Sequence, residues 1–271
     1  MYVGIPVHNQ FHVLLECLYN ISECASDPEN LKIMLFDNGS DQLLSDFVRD
    51  NWNRCNNVEV VMRSETNLGV PIANNAFLDW ARAAEDASFV AIMHSDTRIY
   101  EKNWDIKLTR MFEELDPGVV GFFGAYGIGR QDLYKTPYEL HQLVRTATVA
   151  GSRCRLDPNV HGQKQFEHAY EKCTVLDGYF LATSTSLKYD EAVPHHMYDN
   201  DVCLQSINQG KENYVINFDN VHLGGQTDVT TQWNEVFGMT KDEIHKKAHV
   251  HFYDKWAPGK NNINIPYNIR G

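Results

Sequence analysis

The residues His94-Ser95-Asp96 follow the apolar run Phe89–Met93 and could bind a metal ion. In an extended chain alternate side chains point the same way, so His94 and Asp96 are expected on one side. Imidazole and carboxylate groups suit Mn²⁺ or Mg²⁺, and such an ion can stabilise the negative charge of a diphosphate leaving group. The alternative is a strand-end turn in which Ser95 or Asp96 caps a helix.

Two further polar turns, each after an apolar run, could approach a ligand. Asp37-Asn38-Gly39-Ser40 follows Leu31–Phe36, and its carboxylate could accept hydrogen bonds from a base or a ribose. Asn67-Leu68-Gly69 follows Val58–Met62, and its glycine would let the backbone approach a ligand. Both segments also have the composition of ordinary turns, so neither decides the function alone.

A fourth set of polar residues lies in the second half of the chain and could supply a general base. Asp177-Gly178 and Asp199-Asn200-Asp201 each offer a carboxylate able to deprotonate a hydroxyl. Asp199 and Asp201 fall at a predicted helix start, where acidic residues also serve as caps. His222 follows the predicted strand Asn213–Phe218, where imidazole could complete a metal site or be an ordinary loop residue.

The elements that must position these residues alternate between strand and helix. Strands are predicted at Tyr2–Val7, Leu31–Phe36, Val58–Met62, Phe89–Met93, Val119–Phe123, Thr174–Ala182 and Asn213–Phe218. Helices are predicted at Phe11–Cys24, around Leu43–Val48, from Pro71, and at Asp199–Asn208. This order predicts an α/β fold with a mostly parallel central sheet flanked by helices, which binds ligands at the carboxyl ends of its strands.

The remainder of the chain is less regular. Tyr126–Lys172 is long, polar and rich in Gly, Arg and His, and loops of that length are usually functional or partly disordered. The stretch from Trp233 to Trp256 is predicted to be helical and aromatic. It could cover the site, stack on sugars or pack on the core, and packing is favoured for most of its side chains.

The charge and composition limit the class of protein. The 271 residues carry 24 basic and 36 acidic side chains, a net charge of −12, which makes phosphate-driven nucleic-acid binding unlikely. No apolar run is long enough to cross a membrane, and no secretion signal is evident. Six scattered cysteines, without zinc-type pairs, indicate reduced thiols and a cytoplasmic setting.

Taken in order, these motifs resemble the inverting family 2 glycosyltransferases and their relatives with the GT-A fold. Gly4-Ile5-Pro6-Val7-His8-Asn9 is similar to the family's first strand and donor loop, Asp37–Ser40 to its uridine-contacting turn, and Asn67-Leu68-Gly69 with Asn75 to its Asn-x-Gly…Asn pattern. His94-Ser95-Asp96 stands at its Asp-x-Asp metal motif, and Tyr198–Leu204 at its Glu-Asp-x-Asp-Leu-Cys helix start. The resemblance covers about residues 2–225.

The resemblance implies roles for individual residues. The donor nucleotide would contact Pro6, Val7, Asn9, Asp37, Asn38, Asn67, Gly69, Asn75, His94, Ser95 and Asp96. Asp96 and His222 would hold Mn²⁺ or Mg²⁺. Asp177, Gly178 and Asp201 would face the acceptor or sugar, and Asp199 would be the general base.

It also implies an organisation and partners. Residues 1–225 would form the catalytic domain, with a nucleotide-binding half at about 1–100 and an acceptor half at about 101–225. Residues 226–271 would be an extension packed on it. The donor would be a UDP-sugar and the acceptor a carbohydrate or glycoconjugate.

The chain departs from the family pattern at three positions. His94 replaces an Asp, Tyr198 replaces a Glu, and Asn74 stands where many relatives have an Arg, for which Arg63 could compensate. His94 could contact ribose or phosphate, or join the metal ligands.

Three alternatives therefore stay open: a retaining transferase of the same fold, a binding module without turnover, and a transferase acting on DNA bases. The last would use Arg130, Lys135, Arg145, Arg153, Arg155 and Lys164 in the long middle region.

Overall fold

The computed structural model describes residues 1–84, 86–125, 127–130, 140–142, 149–151, 153–154, 168–192, 194–224 and 233–256. The helices are Phe11–Cys24 (α1), Leu44–Asp50 (α2), Val70–Ala83 (α3), Trp104–Leu115 (α4), Tyr198–Asn208 (α5), Trp233–Phe237 (α6) and Lys241–Trp256 (α7). The first nine strands are Tyr2–Val7 (β1), Lys32–Asn38 (β2), Val58–Ser64 (β3), Phe89–Met93 (β4), Thr97–Ile99 (β5), Val119–Gly121 (β6), Phe123–Ala125 (β7), Ile128–Arg130 (β8) and Leu140–Gln142 (β9). The others are Val149–Gly151 (β10), Arg153–Cys154 (β11), Tyr170–Cys173 (β12), Val175–Leu176 (β13), Phe180–Ser184 (β14), Asn213–Ile216 (β15) and Asp219–His222 (β16).

A large mixed sheet forms the centre of the molecule, with the strand order β12-β15-β6-β14-β4-β1-β2-β3. Strands β3, β2, β1 and β4 run parallel, and β15 runs parallel to β6. Strand β14 lies antiparallel between β4 and β6, and β12 pairs antiparallel with β15. The predicted mostly parallel α/β fold is therefore confirmed.

The sheet is buried on both faces because side chains alternate along each strand. Val3 and Ile5 of β1 pack in one cluster with Leu14 and Leu18 of α1, and Tyr2 belongs to a second cluster on the other face. The first cluster includes side chains of α1, α2 and α4, and the second includes side chains of α3, α5 and α7. Parallel strands covered by helices on both faces end at a shared edge, and that edge is where the polar turns emerge.

The structure corrects several predicted boundaries. The strand predicted at Val119–Phe123 is two strands, β6 and β7, which belong to different sheets. The strand predicted at Thr174–Ala182 is broken at Asp177–Tyr179, and β14 begins only at Phe180. A hydrogen-bonded turn can interrupt an apolar run without changing its composition, so hydropathy alone does not show the break.

Helix α4 and strand β5 were not predicted from the sequence. Strand β5 is only three residues long and pairs antiparallel with β16. Ser95 and Asp96 therefore lead into a strand, and the alternative in which one of them caps a helix is wrong. The sequence placed His222 after the strand that is β15, whereas His222 is the last residue of a further strand, β16.

The structure describes only part of the polar region Tyr126–Lys172. Its described parts form the pairs β8–β9, β10–β7 and β11–β16. Lys135, Arg145, Arg155 and Lys164 lie outside the described residues, and for Arg130 and Arg153 only the strand membership is described. The hypothesis of DNA contacts through this region therefore stays a hypothesis.

No helix among the described residues is both long and apolar enough to cross a bilayer. The cysteines whose side chains are described are Cys17, Cys24, Cys55, Cys173 and Cys203, and each is a buried free thiol. Cys17 and Cys24 lie on the core face of α1, as the helical repeat predicts. The cytoplasmic setting and the division of the chain at residue 225 stay predictions.

Candidate active site

His94, Asp96 and His222 come together at the carboxyl end of β4, although His222 is far away in the sequence. Antiparallel pairing of β5 with β16 sets His222 opposite Thr97, and the Leu223 N–H donates to the Asp96 carbonyl oxygen. His222 Nε2 then lies 3.4 Å from Asp96 Oδ1. One ligand atom from each of the three residues lies within 4.8 Å of the other two. The structure thus brings together the two metal ligands expected from the sequence and adds His94 to them.

The environment of Asp96 fits a bound cation. Its side chain is 1% exposed, and Oδ1 receives no hydrogen bond of acceptable geometry within the described structure. A buried carboxylate oxygen without such a partner is costly unless a positive charge stabilises it. Two imidazoles and one carboxylate are a ligand set that divalent transition-metal ions accept.

Burial and mutual contact shift the pKa values of His94 and Asp96. Burial, reinforced by the charge of His222, lowers the pKa of His94, so its imidazole is neutral and able to coordinate. Burial alone would raise the pKa of Asp96, but its interactions with His222 and His94 outweigh this and hold the pKa below its ordinary value. The carboxylate therefore stays ionised.

Tyr179 and Asn220 support His222, and the sequence predicted a role for neither residue. The Tyr179 ring stacks on the His222 ring, with centroids 4.5 Å apart and planes 9° apart. The Tyr179 hydroxyl donates to Asn220 Oδ1 over 3.2 Å. An imidazole held in this way has fewer orientations to lose when it binds an ion.

The turn Asp177–Tyr179 joins this cluster to a pair of carboxylates. The His94 N–H donates to the Tyr179 carbonyl oxygen over 2.9 Å, and the Gly178 N–H donates to Asp199 Oδ2 over 3.1 Å. Burial, and then the negative charge of Asp177, raise the pKa of Asp199 to about 7. A half-buried carboxylate with a raised pKa is suited to accept a proton near neutral pH.

Tyr198 bridges the two parts of the site. Its hydroxyl lies 3.4 Å from His94 Nε2, and Asp199 is the next residue in α5. Burial raises the pKa of Tyr198 well above its ordinary value, so it stays a neutral hydroxyl. Two of the departures from the family pattern, His94 and Tyr198, are therefore in contact with each other.

A cleft beside the metal cluster is lined from both halves of the chain. Its lining residues are Pro6, Val7, His8, Asn38, Asn67, Gly69, Val70, His94, Ser95 and His195. The Asn38 amide fixes the wall, since Nδ2 donates to the Gly69 carbonyl oxygen and Oδ1 accepts from the Leu68 N–H. Six residues that the sequence assigned to a donor nucleotide therefore share one cleft with His94.

Asp37 and Asn9 shape the neighbouring turns and do not line this cleft. The fully buried Asp37 carboxylate accepts hydrogen bonds from the Ser40 N–H over 3.0 Å and from the Leu44 N–H over 3.4 Å, and it forms an ion pair with Arg63. The Asn9 N–H donates to Ser40 Oγ over 2.8 Å. These contacts of Asp37 involve neither Asp96 nor His222, whereas Asn38, its neighbour in β2, lines the shared cleft.

Arg63 is engaged with the turn that follows β2. Its guanidinium pairs with Asp37 and donates to the Ser40 carbonyl oxygen over 2.9 Å. These contacts give no support to the idea that Arg63 replaces the arginine that many relatives have at the position of Asn74.

Asn75 and Asp201 are engaged in structural contacts. Asn75 Nδ2 donates to the Tyr189 carbonyl oxygen, and Asn75 Oδ1 accepts from the Tyr189 N–H. Asp201 is buried, and its carboxylate pairs with Lys255 at 2.8 Å and accepts a hydrogen bond from Trp256 Nε1. These contacts argue against the predicted donor role of Asn75 and acceptor role of Asp201. Both assignments were implied by the family resemblance and not by a contact.

Comparison with known proteins places this geometry in a family. The family model described as "Glycosyltransferase like family" matches residues 71–250, which is more than half of the chain. A comparison with curated protein sequences finds no match.

Solved structures with similar folds are glycosyltransferases of low sequence identity. GalNAc-T7, solved with UDP, GalNAc and Mn²⁺, is 12% identical with a TM-score of 0.65, over 96% of this chain and 48% of that one. The mannosyltransferase PcManGT from Pyrobaculum calidifontis, solved with GDP-Man and Mn²⁺, is 14% identical with a TM-score of 0.57, over 94% and 71%. S. aureus TarS is 15% identical with a TM-score of 0.52, over 93% and 39%.

The chain spans less than half the length of TarS and of GalNAc-T7. At these identities the structural similarity establishes the fold, which is GT-A. Together with the family match over residues 71–250, it shows that the chain belongs to the glycosyltransferase-like family and has the GT-A fold.

Proposed function

We propose that the protein transfers a sugar from a UDP-sugar to a carbohydrate or glycoconjugate hydroxyl with inversion, using a divalent metal ion and Asp199 as the general base. The proposal rests mainly on the hydrogen bonds that connect Asp199 to His94 of the proposed ion site. The turn Asp177–Tyr179 donates to Asp199 and accepts from His94. A base and a cation site at the same sheet edge are what in-line displacement of a diphosphate needs.

The residues of this chain have distinct tasks in the proposed reaction. Asn38, Asn67 and Gly69 bind the nucleoside, and His94, Asp96 and His222 hold the ion. The ion, when bound, offsets the charge that develops on the leaving diphosphate. Asp199 takes the proton from the attacking hydroxyl, and the Gly178 N–H keeps its carboxylate oriented.

Two observations support a UDP donor and Mn²⁺. GalNAc-T7 and TarS have been solved with UDP or a UDP-sugar, and GalNAc-T7 and PcManGT with Mn²⁺. PcManGT was solved with GDP-Man, so the nucleobase of the donor has to be identified by experiment. Thermal shifts with UDP, GDP and CMP, each with and without Mn²⁺ or Mg²⁺, will rank the nucleotides because stabilisation grows with ligand concentration over Kd.

The test of the mechanism is Asp199→Asn, which keeps the shape of the side chain and removes the basic oxygen. We expect sugar transfer to fall by about 10²- to 10⁴-fold, the usual contribution of a general base. Calorimetry should give a Kd for UDP with Mn²⁺ close to that of the wild type. Asp50→Asn at the exposed end of α2 is a matched control and should change neither quantity.

The anomeric configuration of the product, determined by NMR, distinguishes inversion from retention. A product of retained configuration, or wild-type transfer by Asp199→Asn, would remove the general-base role. Tight binding of UDP without release of UDP from any donor sugar would instead show a binding module.

A further inference from the structure

The chain between β14 and α5 passes over the cleft wall at Gly69 and carries His195, which lines the cleft. This crossing segment comprises residues 189–192 and 194–197. The Val70 N–H at the start of α3 donates to the Pro194 carbonyl oxygen over 2.9 Å. The Asn75 side chain holds both the N–H and the carbonyl group of Tyr189, at 2.8 Å and 2.9 Å. The segment therefore joins the second half of the chain to the nucleotide-side wall.

Gly69 shows how closely the segment lies on the cleft wall. A Cβ atom at Gly69 would come within 2.7 Å of Pro194 Cα, a distance that real Cβ contacts essentially never show. Gly69 also has φ +89°, where residues with a side chain are strained. The glycine of the Asn67-Leu68-Gly69 motif is thus required by the passage of the crossing segment.

Helix α7 holds the crossing segment from the outside. Asp190 Oδ2 accepts from Lys255 Nζ over 2.7 Å and lies 2.9 Å from His251 Nε2. The His196 ring contacts the His245 ring, with centroids 4.6 Å apart. The two ends of the segment are therefore anchored on α7 as well as on α3.

His195 is the residue that this arrangement presents to the cleft. Its ring lines the cleft together with His94 and Ser95, and it packs edge-on against the His196 ring at 4.6 Å. The Tyr198 ring, whose hydroxyl contacts His94, lies with its centroid 6.2 Å from that of His195. His195 therefore lines the cleft close to the contact between His94 and Tyr198, and its chain neighbour Pro194 lies against Gly69 of the cleft wall.

We propose that His195 binds the diphosphate of the nucleotide donor, through a ring N–H that donates to a phosphate oxygen. This inference rests on the proposed function, because it takes the cleft to be the donor site. A diphosphate held by an ion at His94, Asp96 and His222 would have further oxygens, and an N–H donor that lines the same cleft as His94 could bind one of them. Donor hydrogen bonds to an anionic oxygen are shorter and stronger than neutral ones.

The test compares UDP with uridine, which lacks the phosphates. With Mn²⁺ present, His195→Ala should weaken UDP binding by about 10- to 100-fold, the range for one charge-assisted hydrogen bond. Uridine binding should change by less than about twofold. His12→Asn, on the exposed face of α1, is the control and should leave both affinities unchanged. A wild-type UDP affinity in folded His195→Ala overturns the inference.

A second measurement uses the wild-type protein and does not depend on folding of the variant. Diethyl pyrocarbonate modifies imidazoles, and tandem mass spectrometry resolves His195 from His196 in one peptide. UDP with Mn²⁺ should protect His195 by at least about fivefold and uridine should not, because only UDP carries the phosphates. Equal modification of His195 with and without UDP would overturn the inference. If the wild type binds no nucleotide at all, it is the proposed function that fails.

Discussion

Replacement of Gly178 by alanine tests how the carboxylate pair and the metal cluster are held together. A Cβ at Gly178 would lie 2.7 Å from Tyr198 Cζ and nearer still to the hydroxyl oxygen, whereas real Cβ contacts essentially never fall below 3.0 Å. Tyr198 is buried, so its ring can move away only by pressing on His94 or by shifting the start of α5. Both movements disturb the proposed ion site and Asp199.

The magnitude follows from this contact. Overpacking a buried site costs about 1–3 kcal/mol, which corresponds to a fall in Tm of about 2–12 °C for a chain of this size. Because Tyr198 orients His94, we expect Mn²⁺ binding to weaken by about 10- to 100-fold, as when an outer partner of a ligand is lost. Urea unfolding and calorimetric titration with Mn²⁺ and UDP measure the two effects.

A double-mutant cycle with Tyr198→Phe provides the control, since phenylalanine lacks the hydroxyl that the new methyl group would meet. The cost of Gly178→Ala in the Tyr198→Phe background should be at least about 0.5 kcal/mol smaller than in the wild type. An equal cost in both backgrounds would refute the contact between Gly178 and the Tyr198 hydroxyl as the reason for the glycine.

Two further predictions concern charge at the site. The negative charge of Asp177 contributes to the raised pKa of Asp199. A general base is protonated and inactive once the pH falls below its pKa. Asp177→Asn should lower the pKa of Asp199 and therefore move the acidic limb of kcat/KM to lower pH. A limb that stays in place or moves upward would contradict the coupling. Asp96→Asn should weaken Mn²⁺ binding by at least about 100-fold, since even loss of an outer partner costs about 10- to 100-fold. Calorimetry measures this, with Asp79→Asn on the exposed face of α3 as the control, and a Kd within a few-fold of the wild type would exclude Asp96 as a ligand.

Most of the central fold follows from local sequence patterns. Strands β1 and β4 and helix α1 have the predicted boundaries, because each is a long apolar or amphipathic run with clear ends. The helix from Asp199 begins one residue earlier than expected, at Tyr198. The sequence did not show β5 or the break at Asp177–Tyr179, since three-residue strands and turns within apolar runs leave little periodicity.

Whether two site residues could be predicted to lie together depends on how far apart they are in the sequence. His94 and Asp96 lie two residues apart in the turn between β4 and β5, so their proximity is local and follows from the sequence. The proximity of His222 to Asp96 depends on the β5–β16 pairing, and that of His94 to Tyr198 depends on how α5 packs. Contacts over long sequence separation are decided by packing and register, which a single sequence does not display.

Tertiary contacts also decide which of the predicted site residues line the cleft and which form structural contacts elsewhere. The sequence alone determined that carboxylates, amides and imidazoles follow the strands of an α/β sheet and therefore gather at one edge. The tertiary structure decided that Asp37 pairs with Arg63, that Asp201 anchors α7, and that His195 enters the cleft. The direction of a buried polar side chain is set by the group that neutralises it or hydrogen-bonds to it, and for Asp37 and Asp201 that group comes from a distant part of the chain.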